Sequence, residues 1–300
     1  KDEAFLADVH RAREEPGPYH LWWLGQSGFL LQWEGRHLLF DPYLSDWLTR
    51  KYEGTDTPHV RMTEKVVEPD RLGFIDVVTS THNHTDHLDA YTLGPIMRAS
   101  PEVEVLVPAA NRSFAADRLE VEPEHLRVVD AGGTVQLDGF RIHGVRAAHE
   151  TLETDEAGRY THLGYVAQFG DLDAGDSETA GSETKASETG DGAGGVHTIY
   201  FSGDTVWYDG LVEEVAPLEP DVAICPINGR DPERGVPGNL TGPEAARLGR
   251  EIGAETVIPC HFEMFEFNTV SPEAFVEEAE SIGQGYVVME AGARWTPEGG

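Results

Sequence analysis

The chain of 300 residues contains few cysteines and no long apolar run. Its two cysteines, Cys225 and Cys260, stand in apolar, strand-like stretches, which indicates reduced, buried thiols and excludes a disulfide framework. No stretch approaches the ~20 apolar residues that a membrane-spanning helix needs. The first residues, "KDEAFLADVHRAREE", are charged and lack the apolar core of a secretory signal. We therefore expect a cytoplasmic protein without membrane insertion.

Basic residues are scarce as well, with 22 Lys plus Arg against 54 Asp plus Glu and a formal net charge of −32. In dilute buffer the negative charges of such a surface repel one another. At 1 M salt the screening length falls to ~3 Å, which removes most of this repulsion. This balance predicts a salt-rich cytoplasm, as in extreme halophiles. A merely acidic mesophilic protein is the alternative. Nucleic acid is excluded as a partner because its phosphates would be repelled. Assembly into a homo-oligomer stays open.

Apolar, strand-like runs divide the chain into two halves of similar content, which we interpret as one domain over residues 1–300. A short amphipathic helix is predicted over residues 2–14, and strands alternate with helices in the last third. Residues 171–195 are nearly all Asp, Glu, Ser, Thr, Gly and Ala. Such a segment buries too little apolar surface to offset its ordering entropy, so we predict a disordered loop inserted between two strands.

The stretch "STHNHTDHLD" concentrates imidazoles after the β-branched run "IDVVTST". In an extended segment, His82 and His84 point to the same side and can grip one ion together. After a turn, Asp86 and His87 face an adjacent position. Neutral imidazole and carboxylate suit zinc and similar first-row ions. The pattern therefore predicts a metal site, with a histidine-rich surface turn as the alternative.

The motif "HNHTDH" resembles the H-x-H-x-D-H signature of the metallo-β-lactamase superfamily. The resemblance extends from "WWLGQSGFLL" to "GYVVMEAG", with residues 171–195 as the main unmatched part. It implies an α/β fold, an αββα four-layer sandwich in which two mixed sheets pack face to face with helices outside. It also implies three further ligands, which are His149 in "RAAHE", Asp204 in "FSGDT" and His261 in "VIPCHF".

The same resemblance implies two neighbouring ion positions. His82, His84 and His149 would hold the first ion, while Asp86, His87 and His261 would hold the second and Asp204 would bridge them. One or two divalent ions are expected, with Zn²⁺ preferred and Mn²⁺ or Fe²⁺ as alternatives. A bound ion generates hydroxide near neutral pH, and Asp86 would orient this hydroxide and carry the proton to the leaving group.

Within the superfamily, the chain is most similar to the L-ascorbate-6-phosphate lactonase group, in "WWLGQSGF", "FSGDTVWYDG" and "CPINGRDPERG". Arg230 and Arg234 are candidates for binding a substrate phosphate, and His162 for lining the substrate pocket. His37 and His59 are interpreted as surface or turn residues. The complete ligand set is closer to dinuclear members, including phosphodiesterases of the N-acylphosphatidylethanolamine phospholipase D type.

These features predict a metal-dependent hydrolase that attacks an ester, lactone or phosphodiester of a small metabolite, phosphorylated or not. The alternatives are a phosphodiesterase of the type just named and a non-catalytic, metal-binding regulatory module.

Overall fold

The computed structural model describes residues 2–15, 18–172, 195–231 and 238–298. Most of the acidic segment 171–195, for which disorder is predicted, lies outside these residues, as does Arg234. The helices of the described residues are α1 (Asp2–Ala12), α2 (Trp47–Lys51), α3 (Ala90–Ala99), α4 (Arg112–Leu119), α5 (Leu211–Val215), α6 (Gly242–Ile252) and α7 (Glu273–Ile282). In this part of the chain, no helix combines the length and the apolar content that crossing a bilayer requires.

The strands form two seven-stranded sheets. The first sheet contains β1 (His20–Gly25), β2 (Gly28–Trp33), β3 (Arg36–Phe40), β4 (Val77–Thr79), β5 (Glu104–Pro108), β6 (Leu126–Val129) and β14 (Arg294–Trp295). The second contains β7 (Thr134–Leu137), β8 (Phe140–Arg146), β9 (Leu163–Gly170), β10 (Val196–Phe201), β11 (Val222–Pro226), β12 (Thr256–Cys260) and β13 (Gly285–Tyr286).

The two sheets have the same internal plan. The first runs β14-β1-β2-β3-β4-β5-β6, antiparallel as far as β3 and parallel from there to β6. The second runs β13-β12-β11-β10-β9-β8-β7, antiparallel from β7 to β10 and parallel beyond. The predicted pair of mixed sheets is thereby confirmed. In open α/β sheets, ligands bind in the loops at the carboxyl ends of the parallel strands. Both sheets of this chain have such loops.

Alternate residues of the first sheet face two different cores. Leu21 and Trp23 of β1 pack between the two sheets, and Phe40 of β3 stacks there on Phe201 of β10 at a centroid distance of 5.0 Å. Trp22, also of β1, packs instead in the core formed with α1 and α3. Both faces of the sheet are therefore covered, which explains the continuous apolar runs in its strands.

The second sheet carries α6 and α7 on its outer side. Thr241 and Glu244 form a capping box at the start of α6, so that two of its first N–H groups are satisfied. Gly249 lets the helix approach β12, since a Cβ at this position would lie 2.0 Å from Cγ2 of Val257. Both sheets thus have helices on their outer faces, as the four-layer sandwich requires.

The structure corrects one prediction about a histidine and confirms one about the cysteines. His37 is wholly buried in β3, because this strand lies in the middle of a sheet covered on both faces. Its interpretation as a surface residue is therefore wrong. Cys225 and Cys260 are both buried and free, as expected from their apolar surroundings.

Candidate metal centre

The predicted ligands lie in loops that leave the ends of β4, β8, β10 and β12. The histidine-rich segment begins with His82, three residues after β4, and α3 follows it with Asp89 as its cap. His149 and Asp204 each stand three residues beyond their strand, and His261 directly follows β12. The strands of the two sheets therefore deliver all of these side chains to one place.

His82, His84 and His149 form what we call the first group. One ligand atom from each of the three lies within 4.8 Å of the other two. The Nδ1 atom of His149 donates a hydrogen bond to the carbonyl oxygen of Gly238 at 2.9 Å. A carbonyl can only accept, so this contact places the proton on Nδ1 and leaves Nε2 as a free acceptor. His149 is thus fixed in the tautomer that a metal ion needs.

Asp86, His87 and His261 form the second group, whose ligand atoms also lie within 4.8 Å of one another. The carboxylate of Asp204 lies between the imidazoles of His87 and His261. One carboxylate oxygen, Oδ1, lies 3.3 Å from Nε2 of His87, and the other, Oδ2, lies 3.3 Å from Nε2 of His261. The ring centroids of His82 and His87 lie 4.2 Å apart, so the two groups are neighbours and the seven predicted ligands share one site.

Asp41 is a part of this site that the sequence analysis missed. It follows β3 directly and is completely buried. Its Oδ2 accepts hydrogen bonds from Nδ1 of His87 at 2.7 Å and from the backbone N–H of Thr81 at 3.1 Å, while Oδ1 accepts from Oγ1 of Thr79 at 2.9 Å. Both oxygens are thus occupied by donors. We conclude that Asp41 orients His87, with Nε2 turned toward the second group.

Unpartnered buried atoms test whether these residues fit a metal ion. Nε2 of His82 and Nε2 of His149 are buried without a hydrogen-bond partner within the described ranges, while Nε2 of His87 and Oδ1 of Asp204 lie 3.3 Å apart as an ion pair without hydrogen-bond geometry. A buried polar atom without a partner costs ~1–3 kcal/mol. Imidazole nitrogens and carboxylate oxygens converging in this way match the ligand chemistry of divalent first-row ions. The donor set therefore fits a metal ion.

The charges of the second group support the same conclusion. Burial lowers the pKa of His261, but the carboxylates of Asp204 and Asp86 outweigh burial and raise the pKa to about 9. In the same way, they raise the pKa of His87 well above its usual value. Burial raises the pKa of Asp86, yet His87 and His261 outweigh it and hold this pKa below the usual range. The carboxylates are thus ionised and attract cations, whether protons or metal ions.

A cavity of about 360 Å³ opens onto these ligands. His84, His149, Asp86, Asp204 and His261 form part of its wall. Most of the remaining lining side chains are aromatic (Tyr52, His59, Phe265, Phe267), amide (Gln26, Asn83, Asn228, Asn239, Asn268) or basic (Lys51, Arg118), and Leu48, Thr57 and Thr85 complete the wall. The space has the size of a small-molecule site.

The residues predicted to bind substrate do not line this cavity where the structure describes them. The guanidinium of Arg230 donates to both carboxylate oxygens of Glu244, at 3.0 and 2.8 Å. In so acidic a chain, a nearby carboxylate readily engages an arginine. His162 packs against the first group, with its ring centroid 4.9 Å from that of His82, and burial followed by His149 and His84 lowers its pKa to about 4. Arg234 lies outside the described residues.

Gln26 is the second residue of the site that the sequence analysis missed. It lies in the turn between β1 and β2 and lines the cavity beside Asp86. Gln26 directly follows β1, but an amide is not a usual metal ligand, so its position at a strand end did not mark it as part of the site. Asp41, by contrast, shows the signal of the ligands themselves, a polar residue directly after an apolar strand in "LLFDP".

Comparisons with known proteins agree with this geometry. Residues 20–175 match the model of the Beta-lactamase superfamily domain. A metal-dependent hydrolase of Azorhizobium caulinodans is 28% identical over 274 residues, which cover 90% of this chain and 96% of the relative. A probable L-ascorbate-6-phosphate lactonase of Escherichia coli is 24% identical over 289 residues, covering 89% of this chain and 75% of the relative.

A solved structure shows the same fold. It is described as a possible metal-dependent hydrolase from Veillonella parvula and superposes with a TM-score of 0.68 at 15% identity, covering 94% of this chain and all of the other. The matching family model spans just over half of the 300 residues. The chain therefore belongs to the beta-lactamase superfamily.

Proposed function

We propose that this protein is a metal-dependent hydrolase that cleaves an ester, a lactone or a phosphodiester of a small molecule. The observation that carries the proposal is the convergence beside an open cavity of the Asp204 carboxylate with buried imidazoles, of which His82 and His149 have an Nε2 atom without a hydrogen-bond partner among the described residues. The first group, the second group and Asp204 would hold one or two divalent ions. Such an ion lowers the pKa of bound water from 15.7 toward ~7 and stabilises negative charge that develops on the substrate.

Asp86 is the residue to which we assign proton transfer. It lines the cavity and is held ionised by His87 and His261. A carboxylate beside the attacking oxygen can orient it, take up its proton and pass this proton to the leaving group. Asp86 would thus act both as a ligand and as the general base.

The cavity walls support a small, polar substrate. Aromatic side chains such as Tyr52 and Phe265 offer flat contact surfaces, while several amides offer hydrogen bonds. Lys51 and Arg118 also line the cavity, in a chain that has only four lysines. These cations favour a substrate with a phosphate or carboxylate. A phosphorylated lactone has these properties, and the similarity to the lactonase of Escherichia coli supports this choice.

A phosphodiesterase is the second candidate. It is favoured by the presence of two neighbouring ligand groups, with Asp204 against the second and in the position to bridge them that the resemblance implies, since two neighbouring ions suit an in-line displacement at phosphorus. A non-catalytic, metal-binding regulatory module is the candidate from another class. We propose Zn²⁺ as the ion, with Mn²⁺ and Fe²⁺ as alternatives, because all three accept nitrogen and oxygen ligands. The net charge of −32 supports a salt-rich cytoplasm as the place of action.

The test combines metal analysis with a screen of lactones, phosphodiesters and thioesters in molar KCl. Asp86→Asn should lower kcat/KM by about 10²–10⁴-fold for the substrate that is found, the range typical of general acid–base catalysis. The matched control is Asp89→Asn. It makes the same chemical change three residues further on, at the cap of α3, where asparagine serves as well as aspartate.

The control should keep its activity. A metal-loaded protein that is inactive toward every class would argue against hydrolysis and favour the regulatory module. The same holds if Asp86→Asn equals the wild type in every assay.

A further inference from the structure

Gln26 is held in an uncommon backbone conformation beside the second group. Its φ is +52°, in the left-handed region that residues other than glycine rarely occupy, and its side chain is only 1% exposed. Its carbonyl oxygen accepts hydrogen bonds from Nε1 of Trp23 at 2.9 Å and from the backbone N–H of His261 at 3.0 Å. His261 is itself left-handed, with a φ of +61°. The hydrogen bond from His261 thus holds the turn that contains Gln26 against the loop that carries His261, a predicted ligand.

The side-chain amide of Gln26 contacts two members of the second group. Its Nε2 donates a hydrogen bond to Oδ2 of Asp86 at 2.8 Å and lies 3.0 Å from Nε2 of His261. An ionised carboxylate can only accept hydrogen bonds, so the NH₂ end of the amide must face Asp86. The orientation of the amide is therefore determined by its partner.

The opposite end of the amide has no partner. Oε1 of Gln26 is buried and makes no hydrogen bond to any described residue, although Gln26 lines the cavity. An apolar side chain of the same length would fill this space without leaving an acceptor unsatisfied. The amide therefore has a use other than packing, and its only hydrogen-bonded side-chain carboxylate within the described residues is that of Asp86.

We propose that Gln26 is a positioning residue that holds Asp86 by one carboxylate oxygen, in the orientation needed to bind the second ion and to transfer the proton. This inference rests on the proposed function for its catalytic part, whereas its ion-binding part does not require any activity. Residues that orient metal ligands in this way change metal affinity or activity by about 10–100-fold when they are replaced.

Gln26→Met is the variant that tests this role, because methionine has a similar length and no amide. We expect kcat to fall by about 10–100-fold with KM unchanged, since Gln26 acts through Asp86. Affinity for the second Zn²⁺ should fall by a similar factor in competition with a chelator, while the first Zn²⁺ should bind as before. A purely structural role would not separate the two ions or kcat from KM.

The matched control is Gln32→Met. Gln32 is a buried glutamine of β2 that does not line the cavity, and both polar atoms of its side chain lack partners among the described residues. It should keep the affinities for both ions and the kcat of the wild type. If Gln26→Met does not fold, Gln26→Asn shortens the reach of the amide by one methylene and should show the same separation between the two ions.

The proposal is overturned if the folded Gln26 variant binds the second Zn²⁺ within twofold of the wild type, or if Gln32→Met loses as much affinity. An inactive wild-type protein would contradict the proposed function only, because the chelator competition still measures how Gln26 affects the second ion.

Discussion

Asp41→Asn tests how a buried carboxylate controls the second group. Asp41 has a φ of +37°, which asparagine tolerates better than most residues, so the backbone should be retained. The amide can place its C=O toward Nδ1 of His87 and its NH₂ toward Thr79, whose hydroxyl can turn to accept. The variant thus keeps the tautomer of His87 and loses the negative charge behind it.

The magnitude follows from that single change. Hydrogen bonds to a charged group contribute about 1.5–3 kcal/mol, and those between neutral groups about 0.5–1.5 kcal/mol. The contact between Asp41 and His87 therefore loses about 1.4 kcal/mol, which corresponds to a tenfold lower affinity for the second ion. Asp41→Ala, which also frees the tautomer of His87, should cost about 100-fold.

The assay is competition between the protein and a chelator for Zn²⁺, with the first and second ions resolved. Asp76→Asn provides the control. Asp76 accepts a hydrogen bond from the backbone N–H of His37 at 2.7 Å and lies 3.6 Å from Nδ1 of the same histidine. Like Asp41, it is a carboxylate beside a buried histidine, but its histidine, His37, lies in β3 and is not a predicted ligand. Its replacement should leave the affinities for both ions unchanged.

The role assigned to Asp41 is contradicted if Asp41→Asn holds the second ion as tightly as the wild type. It is also contradicted if Asp76→Asn weakens that ion equally, because the effect would then reflect general stability.

Two further predictions concern stability. Burial lowers the pKa of His37 below 6.5, against a smaller opposing effect of Asp76. The unfolded chain therefore binds this proton more readily, so the contribution of His37 to the free energy of unfolding should be constant above about pH 6.5 and fall below it by up to ~1.4 kcal/mol per pH unit. Urea unfolding of the ion-free protein should show a shallower pH slope for His37→Leu, and identical slopes would contradict this assignment. The net charge of −32 predicts that Tm rises from dilute buffer to molar KCl, and an unchanged Tm would refute the salt-rich interpretation.

His82, His84, Asp86 and His87 were predicted from their motif after an apolar strand, whereas His149, Asp204 and His261 were implied by the family resemblance. The structure brings His82, His149 and His261 together although nearly 180 residues separate the first from the last. Distance along the chain does not hide such a site, since strand ends of packed sheets converge. Strand patterns alone do not show which ligands hold the same ion. The ligand motif and the family resemblance supplied that assignment.

Other features depend on tertiary contacts that no local pattern encodes. The chain passes from the edge of the first sheet, at β6, to the edge of the second, at β7, within a few residues, and only packing decides where that change occurs. His37 was misread because a histidine in a short polar-flanked strand looks exposed until both faces of the sheet are covered. The sequence likewise shows the positive charge of Arg230, but it does not show that Glu244 is its ion-pair partner.

The candidate ligands come from loops of both sheets, with His82 to His87 from the first and His149, Asp204 and His261 from the second. An ion held by all of them would tie together two halves that otherwise meet through their apolar core and through a few hydrogen bonds, such as the one from the backbone N–H of His261 to the carbonyl oxygen of Gln26. At a free ion concentration of 1,000 times Kd, such a tie adds ~4.1 kcal/mol to the free energy of unfolding. The lifetime of the folded chain in the cell would then follow the supply of metal, because loss of the ion would make unfolding and proteolysis easier as well as remove the activity.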